Sequence, residues 1–209
     1  MAKKKSVPTT LTSASKKKKL PAKVKLVWSK LAYKGKVFSV YTDDVIEPGG
    51  PTGSIESRRD VVRHAGSVVI LAVDESANSK DPLVVVERQY RHAAGQYLLE
   101  LPAGKRDHGE TSLAAAKREL IEETGYRSRS WTKLVRYYPS PGFVGEWMEI
   151  WLARGIAAGA AHPEADECIQ VSLMPLSELL KLVKAGKVHD GKTIIGALLY
   201  ESGLKAGKF

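Results

Sequence analysis

The sequence predicts a mixed α/β domain, and three observations carry that reading. Ser67–Val73 is a continuous apolar run and Leu83–Tyr90 a second, β-branched one, suited to pair as a hairpin. One amphipathic helical stretch follows, opened by Thr111 or Ser112 and stopped by Gly125. More strand-like runs come after it, and helical patterns close the chain. Strands on both sides of a central helix, with helices at the end, imply a mixed sheet packed between helices. Periodicity alone leaves α+β and α/β both open.

The elements follow in order. Residues 1–22 hold Lys3–Lys5, a Ser/Thr/Pro stretch and Lys16–Lys19, a composition that buries no core and predicts disorder. Residues 23–63 read as a small β meander. Val24, Leu26 and Trp28 share one face, Val37, Ser39 and Tyr41 another, with a hairpin turn at Tyr33–Lys36. Trp28 is read as a core aromatic, with stacking on an adenine as the alternative. Pro48–Gly53 is a loop. Residues 64–209 form the main domain. Leu98–Leu101 is a short strand, and Pro102, Gly104 and Gly109 turn the chain through a loop into the helix. On that helix Leu113, Ala114, Leu120 and Ile121 form the apolar face. Strands are expected at Trp131–Tyr138, Glu146–Ala153 and Ile169–Leu173, and helices at Leu176–Ala185 and Thr193–Tyr200.

Charge and cysteine content narrow the function classes. The first 30 residues contain ten lysines and no acid, so they carry the whole net charge of +10. The domain itself is neutral and shows no basic stripe for nucleic acid. The tail is read as a solubilising arm, with weak contact to nucleic acid or acidic partners as the alternative. It has neither the apolar core of a secretory signal nor the arginines usual in transit peptides. No apolar run reaches the roughly 18 residues that a membrane span needs. Cys168 is the single cysteine, which excludes an internal disulfide and fits a reducing, cytoplasmic setting. It is read as a small buried hydrophobe. The five histidines form no zinc-ligand pattern.

The chemistry is concentrated between Gly104 and Tyr126. Glu119, Glu122 and Glu123 fall at i, i+3 and i+4, within an arc of roughly 100° of a helix. Such crowding is repulsive unless neutralised, and hard divalent cations neutralise it through carboxylate oxygens. Arg118 can also pair with Glu122 one turn on. Glu110 sits just before the helix, where a negative charge is favourable.

This segment resembles the Nudix box, G-x5-E-x7-R-E-U-x-E-E-x-G-U, with U a bulky aliphatic or aromatic residue. Gly104, Glu110, Arg118, Glu119, Leu120, Glu122, Glu123, Gly125 and Tyr126 meet its nine specified positions. The resemblance implies an α/β/α sandwich with a mixed sheet. It also implies hydrolysis of a nucleoside diphosphate linked to another group, dependent on Mg²⁺, with Mn²⁺ as the alternative. Glu87–Arg91, Glu100–Gly104, Pro139–Gly142 and Asp190–Leu198 are similar to the ADP-ribose pyrophosphatase branch, with Pro141 fifteen residues beyond Tyr126. That branch implies ADP-ribose as substrate, with AMP and ribose 5-phosphate as products.

By matching position, the resemblance makes Glu119, Glu122, Glu123 and the Ala103 carbonyl metal ligands. Glu122, Glu123, Arg118 and Glu167 become catalytic candidates, with Arg118 orienting the glutamates. Glu167 is also a candidate ligand. Glu164 and Asp166 are alternative bases, because the family's usual carboxylate position holds Ala165 here. Arg91, Glu100, Gly104 and Pro141 are expected to bind substrate, and Arg88 is a further arginine on the same strand. Members of this branch are commonly homodimers, which would bring Arg58 and Arg59 to a partner's substrate. Three alternatives stay open: another nucleoside diphosphate derivative such as GDP-mannose or a dinucleoside polyphosphate, RNA decapping, and a non-catalytic ADP-ribose-sensing module.

Overall fold

The structure is a computed structural model that describes residues 23–49, 51, 53–161 and 168–209. The Lys-rich tail and Glu164, Asp166 and Glu167 lie outside the described residues. The chain divides into two compact units. One comprises residues 23–29 with 43–59, the other 30–42 with 60–209. Strands β1 (Lys25–Lys34), β2 (Ser39–Pro48) and β3 (Ser54–Arg63) form a three-stranded sheet in that order, and each contributes residues to both units. The turn between β1 and β2 falls at Gly35–Phe38, two residues later than the pattern suggests. There the Gly35 N–H donates to the Phe38 carbonyl at 2.9 Å.

The second sheet is mixed. Its strands are β4 (Ser67–Asp74), β5 (Leu83–Arg91), β6 (Gln96–Glu100), β7 (Ala103–Lys105), β8 (Arg127–Tyr137), β9 (Met148–Ala157) and β10 (Ile169–Pro175). The order is β10-β5-β4-β9-β8, with β6 on β5 and β7 on β4. β4 and β9 run parallel, and the other pairs are antiparallel. Sequence reading takes residues 103–105 as loop. They form a strand because their backbone pairs with Ser67–Val69, a partner that local pattern cannot reveal.

Alternation along β4 assigns the two faces. Val69, Leu71 and Val73 join a core with Leu176, Leu179, Leu180, Ala197 and Tyr200, from helices α2 (Leu176–Lys184) and α3 (Gly191–Lys205). Val68, Ile70 and Ala72 join Ala115, Ala116 and Leu120 of α1 (Ser112–Thr124). A strand buried on both faces must be apolar throughout, which is why 67–73 reads as an unbroken run. Each such branched side chain contributes on the order of 1.5–3 kcal/mol. The result is the α/β/α sandwich.

Three expectations need correction. The buried face of α1 is Ala115, Ala116, Leu120 and Glu123, while Ala114 is exposed. The helix turns its small residues toward β4, where its backbone can approach closely. Trp28 is 46% exposed, not core, because β1 is exposed at every residue and neither of its faces is covered. Cys168 is exposed rather than buried. It precedes β10, itself an edge strand.

A buried charge is built into β9. Glu149 is 1% exposed and accepts from Lys133 (2.6 Å) and Arg136 Nε (2.7 Å). Burial pushes its carboxyl up, but hydrogen bonds from Lys133, Ser112 and Arg136 outweigh it and hold the group below its ordinary value.

Candidate active site

Helix α1 is fixed at both ends as its sequence predicts. The Thr111 hydroxyl accepts from the Ala114 N–H at 3.2 Å. Gly125 closes the helix at φ 74°, a left-handed conformation open to glycine, and donates to the Ile121 carbonyl at 2.9 Å. Between these caps the helix packs against β7.

That contact builds the acidic site. Gly104 faces Glu119 so closely that a Cβ at position 104 would overlap the Glu119 carboxylate. The backbone N–H of Ala103 donates to Glu123 Oε2 at 3.1 Å. Glu123 is therefore buried rather than projecting from a free face, whereas Glu122 is 39% exposed. The reason is angular: Glu123 lies nearer to the stripe of Ala116 and Leu120 than Glu122 does.

Arg118 ties the site together. Its Nη1 donates to Glu119 Oε1 (2.9 Å) and Glu122 Oε2 (2.8 Å). Its Nε and Nη2 donate to the two oxygens of Glu110 (3.2 and 3.1 Å), and Nη2 also reaches the Lys105 carbonyl (3.0 Å). One guanidinium thus joins helix, loop and strand, which its planar set of five donors suits. Glu110, followed by Glu122 and Glu119, raises Arg118 above its ordinary value, and Arg118 in turn lowers Glu110.

These residues border a cavity of about 540 Å³. Arg91, Glu100, Ala103, Gly104, Glu119 and Glu122 line it, so six of the sequence-predicted residues meet at one place. Arg118 and Glu123 hold this wall through the bonds just given. Sequence reasoning missed Ser67, Lys105, Glu146, Asp190 and Lys192, which also line the cavity. Asp190-Gly-Lys-Thr193 carried a usable signal, since Asp before a helix is a capping residue. Glu146, expected to open a strand, lies in the loop before β9, which starts at Met148. It accepts from the Ser67 hydroxyl at 2.6 Å and lies 3.4 Å from His64 Nδ1.

Four of the charged residues at the cavity form one network. Glu100 is 1% exposed and receives Arg91 Nε and Nη2 at 2.8 and 2.7 Å. Lys192 also donates to Glu100, and to Asp190 at 3.0 Å. Burial pushes the Glu100 carboxyl up, but Arg91 and Lys192 outweigh it and keep it below the usual carboxylate value. Asp190 caps α3 by accepting from the Thr193 N–H (3.0 Å) and hydroxyl (2.6 Å). Thr193 in turn accepts from the Leu101 N–H at 2.7 Å, which locks α3 to the end of β6.

The remaining predicted residues lie elsewhere. Pro141 is exposed in the turn before β9 and does not line the cavity. Arg58 and Arg59 belong to the unit of residues 23–29 and 43–59, where they pair with Asp44 (2.7 Å) and Glu47 (2.6 Å). Arg88 lies over the Tyr97 ring at 5.3 Å.

The donors beside Gly104 are all hard oxygens, the chemistry that Mg²⁺ and Mn²⁺ prefer. The missing Cβ of Gly104 is what leaves room for the Glu119 carboxylate, so the residues suit a divalent ion. Among the described residues, no three acidic, histidine or cysteine side chains converge tightly enough to hold a metal by themselves. Arg118 occupies the inner edges of Glu119 and Glu122 instead.

A sandwich whose central helix presents box glutamates to a polar cavity defines the Nudix class. The NUDIX domain family model matches residues 63–195, and the chain belongs to the Nudix family of hydrolases. It is 36% identical over 163 residues to the ADP-ribose pyrophosphatase of Bacillus subtilis (strain 168), covering 77% of this chain and 83% of that protein. It is 35% identical over 151 residues to a GDP-mannose pyrophosphatase of Escherichia coli O1:K1 / APEC, covering 68% and 76%. A solved structure described as an ADP compounds hydrolase superposes with a TM-score of 0.73 at 21% identity. It covers 92% of this chain and 100% of that chain, a likeness of fold.

Proposed function

We propose that the protein hydrolyses the diphosphate of ADP-ribose, or of a closely related nucleoside diphosphate sugar. The observation that carries this reading is the cavity itself. Carboxylates Glu119 and Glu122 share its walls with the cations Arg91, Lys105 and Lys192, the pairing that a metal-bound diphosphate needs. The likeness to an ADP-ribose pyrophosphatase over most of both chains supports the substrate.

In this reading Glu119, Glu122, Glu123 and the Ala103 carbonyl hold Mg²⁺, with Mn²⁺ as the alternative. When bound, such an ion neutralises diphosphate charge and lowers the pKa of a coordinated water. Arg118 orients Glu119 and Glu122. Arg91 binds the diphosphate, Glu100 holds Arg91 in place, and the bare backbone of Gly104 lets the Glu119 carboxylate sit at the cavity wall where substrate arrives. Glu167 takes the proton of the attacking water, with Glu164 and Asp166 as the alternatives. Water adds to one phosphorus, its bond to the bridging oxygen breaks, and AMP and ribose 5-phosphate leave.

GDP-mannose is the second reading, supported by the likeness to a GDP-mannose pyrophosphatase. Chromatography of products from ADP-ribose and GDP-mannose, each with Mg²⁺, separates the two. Preferential release of AMP from ADP-ribose is the expected result. Preferential release of GMP would transfer the assignment to GDP-mannose, and turnover of neither would sink the assignment to a nucleoside diphosphate sugar.

The protein acts as a cytoplasmic homodimer in this proposal. No helix among the described residues is long and apolar enough to cross a membrane. Support for a second copy comes from Leu26, Val27, Trp28 and Leu31 of β1, each more than 40% exposed. That concentration of apolar surface on one strand fits an interface. Arg58 and Arg59 would then reach the substrate of the partner in the assembled pair. Sedimentation equilibrium should give twice the chain mass of 22.8 kDa, and a single-chain mass would remove this assignment.

A further inference from the structure

Lys192 is 7% exposed, yet it borders the cavity. Its ammonium donates to Glu100, the same carboxylate that Arg91 holds with two bonds. One buried anion is therefore shared by two cations. A carboxylate paired with a single arginine cancels its charge, and an approaching diphosphate would meet a neutral pair. The second cation changes that balance. Asp190, the other partner of Lys192 and an anion that Arg91 also feels, caps the N-terminus of α3. There it accepts the Thr193 N–H and faces the positive end of the helix dipole. Arg91 keeps a 40% exposed side chain, and its Nη1 makes no hydrogen bond among the described residues.

We propose that Lys192 is a positioning residue of the substrate site. By sharing Glu100 with Arg91, it weakens that carboxylate's hold on the guanidinium and leaves more of the Arg91 charge for the substrate's diphosphate. The proposal rests on the reading of this cavity as the diphosphate site. It separates Lys192 from a residue that touches phosphate itself, because the effect passes through Glu100. Once the Glu100 charge is removed, removing the Lys192 charge should then have little further effect.

The test is a double-mutant cycle on KM and kcat for ADP-ribose with Mg²⁺, accompanied by thermal melts. Lys192→Met should raise KM about tenfold, the equivalent of about 1.4 kcal/mol, with kcat changed less than about threefold. Glu100→Gln alone should raise KM, because Arg91 loses its charged anchor, and adding Lys192→Met to it should move KM by less than about threefold further. Lys192→Arg, which keeps the charge, should bind nearly as well as wild type. An unmoved KM in Lys192→Met overturns the proposal. So does a further loss of about tenfold when Lys192→Met is added to Glu100→Gln, the result expected if Lys192 touched phosphate directly. Should Lys192→Met fail to fold, the comparison of Glu100→Gln with the double variant decides alone. Equal KM values support the proposal and a further rise of about tenfold overturns it. Failure of wild type to turn over ADP-ribose or GDP-mannose would overturn the functional reading and this proposal together. Wild-type turnover with an unmoved variant overturns the proposal only.

Discussion

Glu123→Gln should lower kcat by about two to three orders of magnitude while leaving the fold intact. The side chain is 5% exposed and accepts from the Ala103 N–H at 3.1 Å. A glutamine carbonyl can take over that bond in the same space, so stability should change by no more than about 1 kcal/mol. What it cannot replace is the negative charge. If Glu123 holds a metal beside Ala103, the neutral amide loses it, and the diphosphate loses the ion that offsets its charge. Steady-state kinetics across a Mg²⁺ titration, paired with a thermal melt, read both effects. Wild-type turnover in a folded variant would remove Glu123 from the metal site. A large fall in Tm would instead make it a structural carboxylate that tethers β7 to α1.

Arg118→Met should damage both stability and activity. The guanidinium is 29% exposed and joins Glu110, Glu119, Glu122 and the Lys105 carbonyl. Its loss leaves three carboxylates close together with their common counter-charge gone. Breaking a fully buried pair costs about 3–5 kcal/mol, and partial exposure reduces this to about 2–3 kcal/mol. For a chain of this size that corresponds to a Tm lower by about 5–10 °C. Displaced glutamates should also cost about 10–100-fold in metal affinity.

The pH dependence follows from Glu110. Arg118 lowers its carboxyl from the ordinary value of 4.5 in the folded protein. A group whose folded pKa is depressed contributes stability that is present above its unfolded value and lost as pH falls through its folded value. The gap between wild type and Arg118→Met should therefore be full above about pH 5 and shrink below about pH 4.5. A gap that stays constant into acid, or no change in Tm at neutral pH, would show that the pairing does not stabilise the fold.

Much of this was readable from local pattern. The unbroken apolar run of β4 and the caps Thr111 and Gly125 are one-dimensional signals. They depend on which face a residue shows and which backbone angles it tolerates. The spacing of Arg118, Glu119, Glu122 and Glu123 on one helix was likewise determined by the chain alone, because 3.6 residues per turn places them without reference to any partner. Residues of the nine-position box identified the family for the same reason. Tertiary structure decided what touches what. That Gly104 lies on a strand against Glu119 needs β4 to pair with β7, across some 36 residues of sequence. Glu123 is buried and Glu122 open because α1 packs on β4 at one particular rotation. Glu100 and Lys192, 92 residues apart, meet only because α3 is locked to the end of β6 through Thr193. Such pairings are set by packing over long sequence separations, and no periodicity records them.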